Sequence, residues 1–202
     1  MKIICIGRNY SEHAKEMNAA VPTQPMFFLK PDTALNRENK FYIPSFSNNV
    51  HYELEIVVKI SKVGKSIDPK FAHKYYNEFT LGIDFTARDL QAKCKEKGHP
   101  WEIAKGFDNS AFLASETFNK EDYDLNNLNF ELLKNNESVQ KGSSSDMIFK
   151  IDELIAYVSK FITLKQGDLL FTGTPSGVGQ IVQGDQLIGK LEDKKAFELA
   201  VL

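Results

Sequence analysis

The sequence has few cysteines, no long apolar run and no excess of positive charge. Its two cysteines, Cys5 and Cys94, lie far apart in the chain, so they can build neither a disulfide framework nor a zinc site of clustered cysteines. No apolar stretch approaches the roughly 20 residues that span a bilayer. The apolar residues 3–6 are too few for the core of a signal peptide. We therefore expect a cytoplasmic protein with no membrane partner.

The charge and composition exclude further classes. Lys and Arg number 25 against 27 Asp and Glu, a formal net charge of −2. Nucleic-acid-binding domains usually carry a basic surface, so we expect no nucleic-acid partner. Hydrophobic residues make up 42% and charged residues 26% of the chain, as in globular domains. Without a linker, repeat or low-complexity tract, residues 1–202 are predicted to form a single domain.

The pattern of apolar residues predicts a mostly β domain with short helices, an α+β fold. The 15 Phe and 7 Tyr residues suit a β-rich core. Periodicity and turn signals predict strands over residues 2–6 and 26–29, helices over residues 11–17 (capped by Ser11) and 146–161, a loop over residues 32–40, and a hairpin turn at Asn135 and Asn136.

Residues 51–60 form the most informative predicted strand. One face is uniformly apolar, and the other carries Glu53 and Glu55. Because side chains alternate along a strand, these two carboxylates lie side by side. Like charges so close repel each other unless a cation lies between them. An amphipathic strand with a solvated face is the simpler interpretation of this segment alone.

A third carboxylate, Asp84, lies where a predicted strand leads into a helix. Thr86 and Asp89 predict a capping box that opens a helix ending near Lys97, with Gly98 as its stop. The end of a strand before a helix is a common place for a functional carboxylate, although a turn or capping role is more frequent. Three carboxylates without clustered Cys or His favour Mg²⁺, Mn²⁺ or Ca²⁺ over zinc.

His13 and Glu16 are spaced three apart and share one face of a short predicted helix. A carboxylate beside an imidazole fixes its tautomer and stabilises the imidazolium, as a general base requires. A surface ion pair is the alternative that the spacing alone favours.

Residues 172–179 are rich in glycine, but no Lys follows in the position that a phosphate-binding loop requires. Two interpretations are left. The segment is a plain tight turn, or its backbone N–H groups and Thr174 bind a substrate carboxylate.

Taken together, these segments resemble the fumarylacetoacetate hydrolase family. They follow the family's order and cover nearly the whole chain: residues 7–10 with His13 and Glu16, 27–31, 51–55, 84–91, 100–101, 104–108, 145–149 and 172–179. The length is similar to that of the short, single-domain branch, which includes acylpyruvate hydrolases and oxaloacetate decarboxylases. The resemblance implies a mixed β-sandwich roll, usually a homodimer, holding one Mg²⁺ or Mn²⁺, with Ca²⁺ as an alternative in crystals.

The resemblance also implies roles for nine residues and a lid over residues 8–20. The metal ligands would be Glu53, Glu55 and Asp84, and His13 and Glu16 would be the base and its partner on the lid. Lys105 and Gln91 would contact the substrate or the reacting water. Arg8 and Thr174 would contact the carboxylate end of the substrate.

Two segments depart from the family pattern. Asn136 replaces a usual Gly, a change that a turn tolerates because Asn accepts positive φ. Residues 110–113 replace a segment that often contains Cys and Pro, and we expect this change to alter the pocket wall and the specificity.

The implied activity is metal-dependent hydrolysis of 3-acylpyruvates to pyruvate and a carboxylic acid. The metal would chelate the 2-oxo acid, His13 would activate water, and Lys105 would help to hold the departing pyruvate enolate. Oxaloacetate decarboxylation passes through the same enolate and is one alternative. An isomerase or decarboxylase of an aromatic meta-cleavage pathway is another. A non-catalytic binding protein of the same fold is the alternative from another class, and it would show no metal-dependent turnover of a 2-oxo acid.

Overall fold

The structure is a computed structural model that describes residues 1–17 and 19–202. In these residues the strands are β1 (Ile3–Gly7), β2 (Met26–Lys30), β3 (Leu35–Asn36), β4 (Lys40–Phe41), β5 (Val50–Tyr52), β6 (Leu54–Ile60), β7 (Tyr76–Asp84), β8 (Thr86–Ala87), β9 (Ala111–Leu113), β10 (Phe118–Asn119), β11 (Asn129–Lys134), β12 (Glu137–Ser143), β13 (Leu169–Phe171), β14 (Gly179–Gln180), β15 (Gln186–Leu191) and β16 (Lys194–Val201). The α-helices are α1 (Ser11–Glu16), α2 (Arg88–Lys97), α3 (Glu102–Lys105) and α4 (Ile151–Phe161). Short 3₁₀ helices cover Asp32–Ala34, Pro69–Tyr75, Lys120–Asp122 and Ser144–Asp146.

The strands form three sheets. The largest has the order β2-β1-β13-β6-β7-β9-β3, with β10 also paired to β7. It is mixed, because β1 and β13 are parallel whereas β6 is antiparallel to both β13 and β7. A five-stranded sheet has the order β12-β11-β15-β16-β4, and a small sheet the order β14-β5-β8. The prediction of a mostly β fold with short helices is confirmed.

The large sheet is buried on both faces where the carboxylates lie. On one face, Leu54 and Ile56 of β6 join the main core, to which α4 and the five-stranded sheet also contribute. On the other face, Val57 packs in a smaller cluster with Ile3 and Phe171. A strand covered on both sides has no solvated face. The amphipathic interpretation of residues 51–60 is therefore wrong.

The predicted strand over residues 51–60 is interrupted at Glu53. β5 ends at Tyr52 and belongs to the small sheet, whereas β6 begins at Leu54 in the large sheet. Glu53 thus lies where the chain passes from one sheet to the other.

Helix α4 begins at Ile151 and not at residue 146. The reason is a contact from a distant part of the chain. The Asn9 side chain accepts a hydrogen bond from Phe149 N (2.9 Å) and donates one to Phe149 O (3.0 Å). These backbone groups are therefore unavailable for helical hydrogen bonds.

The predicted N-terminal caps of α1 and α2 are also wrong. Helix α1 follows Tyr10, and the Ser11 side chain does not cap it. Helix α2 begins at Arg88, and the Thr86 hydroxyl donates to Glu53 Oε1 at 2.9 Å. At Thr86 a tertiary contact replaces the local capping preference.

Several local predictions are confirmed. Asn135 (φ 53°) and Asn136 (φ 68°) join β11 to β12, as a two-residue turn with positive φ at both positions requires. Gly98 (φ 65°) ends α2. Strands β1 and β2 lie within one residue of their predicted ends, while residues 32–40 also contain a 3₁₀ helix and β3. None of the described helices has the length and apolar character needed to cross a membrane.

Candidate active site

Three buried carboxylates meet at one end of the large sheet. Glu55 lies on β6, Glu53 directly precedes it, and Asp84 ends β7. Leu54 pairs with Ile83 across the two strands, and Asp84 N donates to Glu53 O at 2.9 Å. This register places Glu53 opposite Asp84, on the same face as Glu55. One oxygen from each carboxylate lies within 4.8 Å of the others.

Glycine at position 82 makes room beside this cluster. Gly82 pairs with Glu55 across β6 and β7. A Cβ at this position would lie 2.6 Å from Phe112 O and 2.8 Å from the side chains of Phe171 and Val57. Beside Glu55, β6, β7 and their neighbours pack so closely that residue 82 must lack a side chain.

Three cationic side chains hold Glu53 and Asp84. Lys105 Nζ lies 2.8 Å from Glu53 Oε2 and 2.8 Å from Asp84 Oδ2. Lys30 Nζ lies 2.7 Å from Asp84 Oδ1, and Arg88 Nη2 lies 2.6 Å from Glu53 Oε1. Each oxygen of these two carboxylates therefore has a positive partner.

The cations act unequally on the carboxyl groups. Burial by itself raises the pKa of Glu53, but the charges of Lys105 and Arg88 lower it well below its usual range. The pKa of Glu55 is raised well above its usual range by burial first and by the charge of Asp84 second, and the Gly173 N–H, 2.7 Å from Oε2, only partly offsets this. Burial lowers the pKa of Lys105, but the charges of Asp84 and Glu53 together raise it to about 12.

The cluster fits a divalent cation. Among residues 1–17 and 19–202, Glu55 forms no ion pair, whereas Glu53 and Asp84 both do. A buried carboxylate beside two others, with no cation of its own, is stabilised when a metal ion binds there. Three carboxylate oxygens form the hard donor set that Mg²⁺ and Mn²⁺ prefer.

Helix α1 brings an imidazole–carboxylate pair to the cluster. His13 Nδ1 lies 3.1 Å from Glu16 Oε2, and His13 is 6% exposed. Gly177 N donates to Glu16 Oε1 at 3.1 Å, which connects α1 to the glycine-rich segment. With Nδ1–H donated to Glu16, the other ring nitrogen of His13 is free to accept a proton. This is the geometry of a general base with its orienting carboxylate.

These groups surround a small cavity of about 40 Å³. Binding sites for small molecules usually measure about 300–1,000 Å³, so this cavity is small beside them. The lining residues are Ile6, Gly7, Arg8, His13, Met17, Met26, Phe28, Glu53, Glu55, Asp84, Arg88, Gln91, Lys95, Trp101, Lys105 and Thr174. The structure thus brings eight of the nine residues singled out from the sequence to one cavity, and the ninth, Glu16, contacts His13.

A family comparison agrees with this arrangement. Residues 2–198 match the family model described as fumarylacetoacetate (FAA) hydrolase C-terminal. The chain belongs to the fumarylacetoacetate hydrolase family. The match covers nearly the whole chain, so the resemblance inferred from the sequence motifs is confirmed.

Individual members of the family are similar over most of their length. Oxaloacetate tautomerase YcgM of Escherichia coli is 43% identical over 92% of this chain and 86% of its own. The mitochondrial oxaloacetate tautomerase FAHD1 of Bos taurus is 41% identical over 92% of this chain and 84% of its own. The crystal structure of fumarylpyruvate hydrolase from Pseudomonas aeruginosa in complex with Mn²⁺ and pyruvate superposes with a TM-score of 0.94 at 33% identity, covering 100% of this chain and 89% of that one.

These comparisons establish the fold and the broad enzyme class. The similar structure confirms the mixed β fold of the family, and the named relatives are enzymes of 2-oxo acid chemistry. One relative is mitochondrial, so family membership does not fix a compartment, and the cytoplasmic location stays a prediction. The single domain over residues 1–202 and the homodimer also stay predictions.

Several residues that build the site were not predicted from the sequence. Lys30 had no assigned role, although a lysine that closes an apolar strand before Pro31 is unusual. Arg88 also had no predicted role; its Nη1 donates to Gln91 Oε1 at 2.7 Å. Gln140 was not noticed: its side chain donates to Thr174 Oγ1 (2.9 Å) and accepts from Leu54 N (2.9 Å), so it fixes Thr174 beside Glu53.

The unusual segment 110–113 lies behind the site. Ser110 is fully buried; its hydroxyl accepts a hydrogen bond from Lys30 Nζ (3.0 Å) and donates to Lys105 O (2.8 Å). None of residues 110–113 is among the described residues that line the cavity. The expected change in the pocket wall is therefore not found, and the segment supports the two lysines instead.

Proposed function

We propose that this chain catalyses the keto–enol tautomerisation of a small 2-oxo dicarboxylate, with oxaloacetate as the first candidate substrate. The observation that carries the proposal is one cavity at which a buried carboxylate cluster, the His13–Glu16 pair and Lys105 meet. The two relatives named oxaloacetate tautomerase support this choice of reaction and substrate.

The charge of the cavity supports a dianionic substrate. Five cationic side chains line or adjoin it, namely Arg8, Lys30, Arg88, Lys95 and Lys105, against four carboxylates, the three of the cluster and Glu16. The surplus is positive, and a divalent cation would increase it. A pocket of one sign concentrates ligands of the other sign, so two carboxylates on the substrate match this field better than one.

The residues of the chain can carry the proton transfer. A bound divalent cation held by Glu53, Glu55 and Asp84 supplies Lewis-acid polarisation of the 2-oxo group. His13 takes a proton from the carbon next to that group, and Glu16 stabilises the imidazolium. Delivery of a proton to the oxo oxygen then gives the enol, and delivery back to carbon gives the keto form.

Lys105 and Gln91 are positioned to assist. The Lys105 ammonium has three N–H donors, of which two are donated to Glu53 and Asp84. The third is available to the oxygen on which negative charge develops. Gln91 accepts from Arg88 through its carbonyl oxygen, which leaves its amide N–H groups for the substrate.

Hydrolysis of a 3-acylpyruvate is the second candidate, and the similarity to fumarylpyruvate hydrolase favours it. In this reaction the same His13 would activate water, and the departing group would be the pyruvate enolate. Decarboxylation of oxaloacetate also ends in that enolate. The three reactions share the metal cluster and Lys105 and differ in the role of the base: His13 deprotonates carbon in tautomerisation and water in hydrolysis, and decarboxylation needs no base.

One set of assays separates these candidates. Loss of the enol absorbance of oxaloacetate, hydrolysis of acetylpyruvate and release of pyruvate from oxaloacetate are each measured with Mg²⁺, with Mn²⁺ and with a chelator, against the same metal without protein. We expect metal-dependent tautomerisation that Glu53→Gln abolishes. Hydrolysis without tautomerisation would establish the second candidate. No metal-dependent turnover of any of these compounds would contradict both and favour the binding protein.

A further inference from the structure

We propose that Lys95 and Arg8 form an anion subsite at the mouth of the cavity that binds the distal carboxylate of the substrate and so selects 2-oxo dicarboxylates. The proposal rests on the proposed function and adds the part of the substrate that the carboxylate cluster does not contact. It gives Lys95 a role that the sequence analysis did not foresee.

The position of Lys95 follows from helix geometry. Arg88, Gln91 and Lys95 are spaced three and then four residues apart on α2, so they lie on one face of the helix, and all three line the cavity. Lys95 is exposed to solvent at its outer end, with its Nζ 5.6 Å from the centre of the Trp101 ring. These three side chains thus run along α2 from Arg88, which contacts the buried Glu53, outward to Lys95 at the entrance.

Arg8 lies on the lid side of the same cavity, and its backbone is held in an uncommon conformation. Its φ of 58° is in the left-handed region, which a residue other than glycine adopts at a cost. The next residue, Asn9, is fully buried and donates to Thr172 O at 2.8 Å, besides its contacts to Phe149. These contacts of Asn9 fix the backbone next to Arg8 and so determine the position of the Arg8 Cα, from which its side chain extends.

Neither cation has a carboxylate partner among the described residues. In the part of the chain that the structure describes, Arg8 and Lys95 form no ion pair and their side chains donate no hydrogen bond, whereas Lys30, Lys105 and Arg88 all contact carboxylates. Burial lowers the pKa of Lys95 first, and the charges of Arg88 and Arg8 lower it further. Cations that repel one another at a pocket entrance are stabilised by an anion between them.

The group that fills this subsite is the second carboxylate of a bound 2-oxo dicarboxylate. The 2-oxo carboxylate end is expected at the carboxylate cluster and Thr174, which are all buried and therefore form the inner end of the cavity. The second carboxylate of such a compound then extends away from the cluster, towards the entrance. A monocarboxylate such as pyruvate occupies the inner end alone.

Binding of a dianionic and a monoanionic probe tests the subsite. Calorimetry in the presence of Mn²⁺ compares 3,3-difluorooxaloacetate, a dianion that lacks the transferable proton, with pyruvate, a monoanion. Losing one charge-assisted contact at a partly exposed site should weaken binding of the dianion to Lys95→Met by about tenfold. Pyruvate affinity should stay within about twofold of wild type, since it gains no contact to Lys95. Lys95→Arg should restore most of the dianion affinity.

Lys93→Met is the matched control, because Lys93 is exposed on the same helix and does not line the cavity. Equal loss of both ligands in Lys95→Met, an equal effect of Lys93→Met, or no loss at all would overturn the subsite while leaving the proposed function standing. Failure of wild type to bind either probe in the presence of Mn²⁺ would overturn the subsite and the proposed function together.

Discussion

Removing the Lys30 ammonium should destabilise the whole site. The Lys30 side chain is 0% exposed, and its Nζ lies 2.7 Å from Asp84 Oδ1. It also donates to Phe85 O, Ser110 O and the Ser110 hydroxyl at 3.0–3.3 Å, and to Lys105 O. The variant Lys30→Met keeps the length and removes the charge together with the three N–H donors that these five oxygens share.

The magnitude follows from what is left behind. Breaking a buried ion pair by removing one partner typically costs about 3–5 kcal/mol, because the other charge stays buried. Asp84 Oδ2 keeps its contact with Lys105 at 2.8 Å, so we expect a loss of about 3 kcal/mol in the free energy of unfolding, the lower end of that range. For a chain of this size, a loss of about 3 kcal/mol lowers the melting temperature by roughly 6–12 °C.

Urea unfolding, followed by far-ultraviolet circular dichroism and by the fluorescence of the single Trp, Trp101, measures the effect. The experiment is done with a chelator and again with Mg²⁺. The loss should be smaller with Mg²⁺, because a cation at the cluster gives Asp84 a new positive neighbour. Lys59→Met is the control: its ion pair with Glu78 spans 3.7 Å between half-exposed side chains, and such pairs contribute little.

Two results would refute this reasoning. A loss of less than about 1 kcal/mol for Lys30→Met would show that the buried pair is not what stabilises Asp84. A larger loss with Mg²⁺ than with the chelator would show that Lys30 and the metal do not share the charge of Asp84.

The remaining predictions concern the metal, the base and the assembly. Because the pKa of Glu55 is raised in the folded protein, wild type loses stability as the pH rises through that pKa. Glu55→Gln should therefore stabilise the metal-free protein at pH 8, and the gain should shrink towards pH 4.5, the ordinary pKa of a Glu. The same variant should lose the stabilisation by Mg²⁺, and thermal melts across pH that show no gain would contradict this. His13→Ala should slow tautomerisation by about 10²–10⁴-fold, the usual contribution of a positioned base, and affect oxaloacetate decarboxylation less; equal losses in the two assays would show that His13 acts in lid closure or binding. We expect a symmetric homodimer, the commonest closed oligomer, and a monomer by light scattering at micromolar concentration would exclude it.

Local physics made much of this protein predictable from its sequence. The alternation of side chains in a strand placed Glu53 beside Glu55, whatever the rest of the fold. Positive φ at Asn135, Asn136 and Gly98 follows from the residue types that tolerate it. The spacing of His13 and Glu16 on one helical turn likewise needed no knowledge of distant residues. These features depend on neighbours in the chain, which the sequence displays directly.

Tertiary structure decided the features that depend on residues far apart in the chain. Lys30 reaches Asp84, Asn9 reaches Phe149, and the Thr86 hydroxyl reaches Glu53 instead of capping its own helix. Each contact replaces a local preference because a buried polar group must find a partner, and leaving one without a partner costs more than a cap or a helical turn contributes. Which partner it finds depends on the pairing of strands across the sheets, and the periodicity of a single segment carries no record of that pairing.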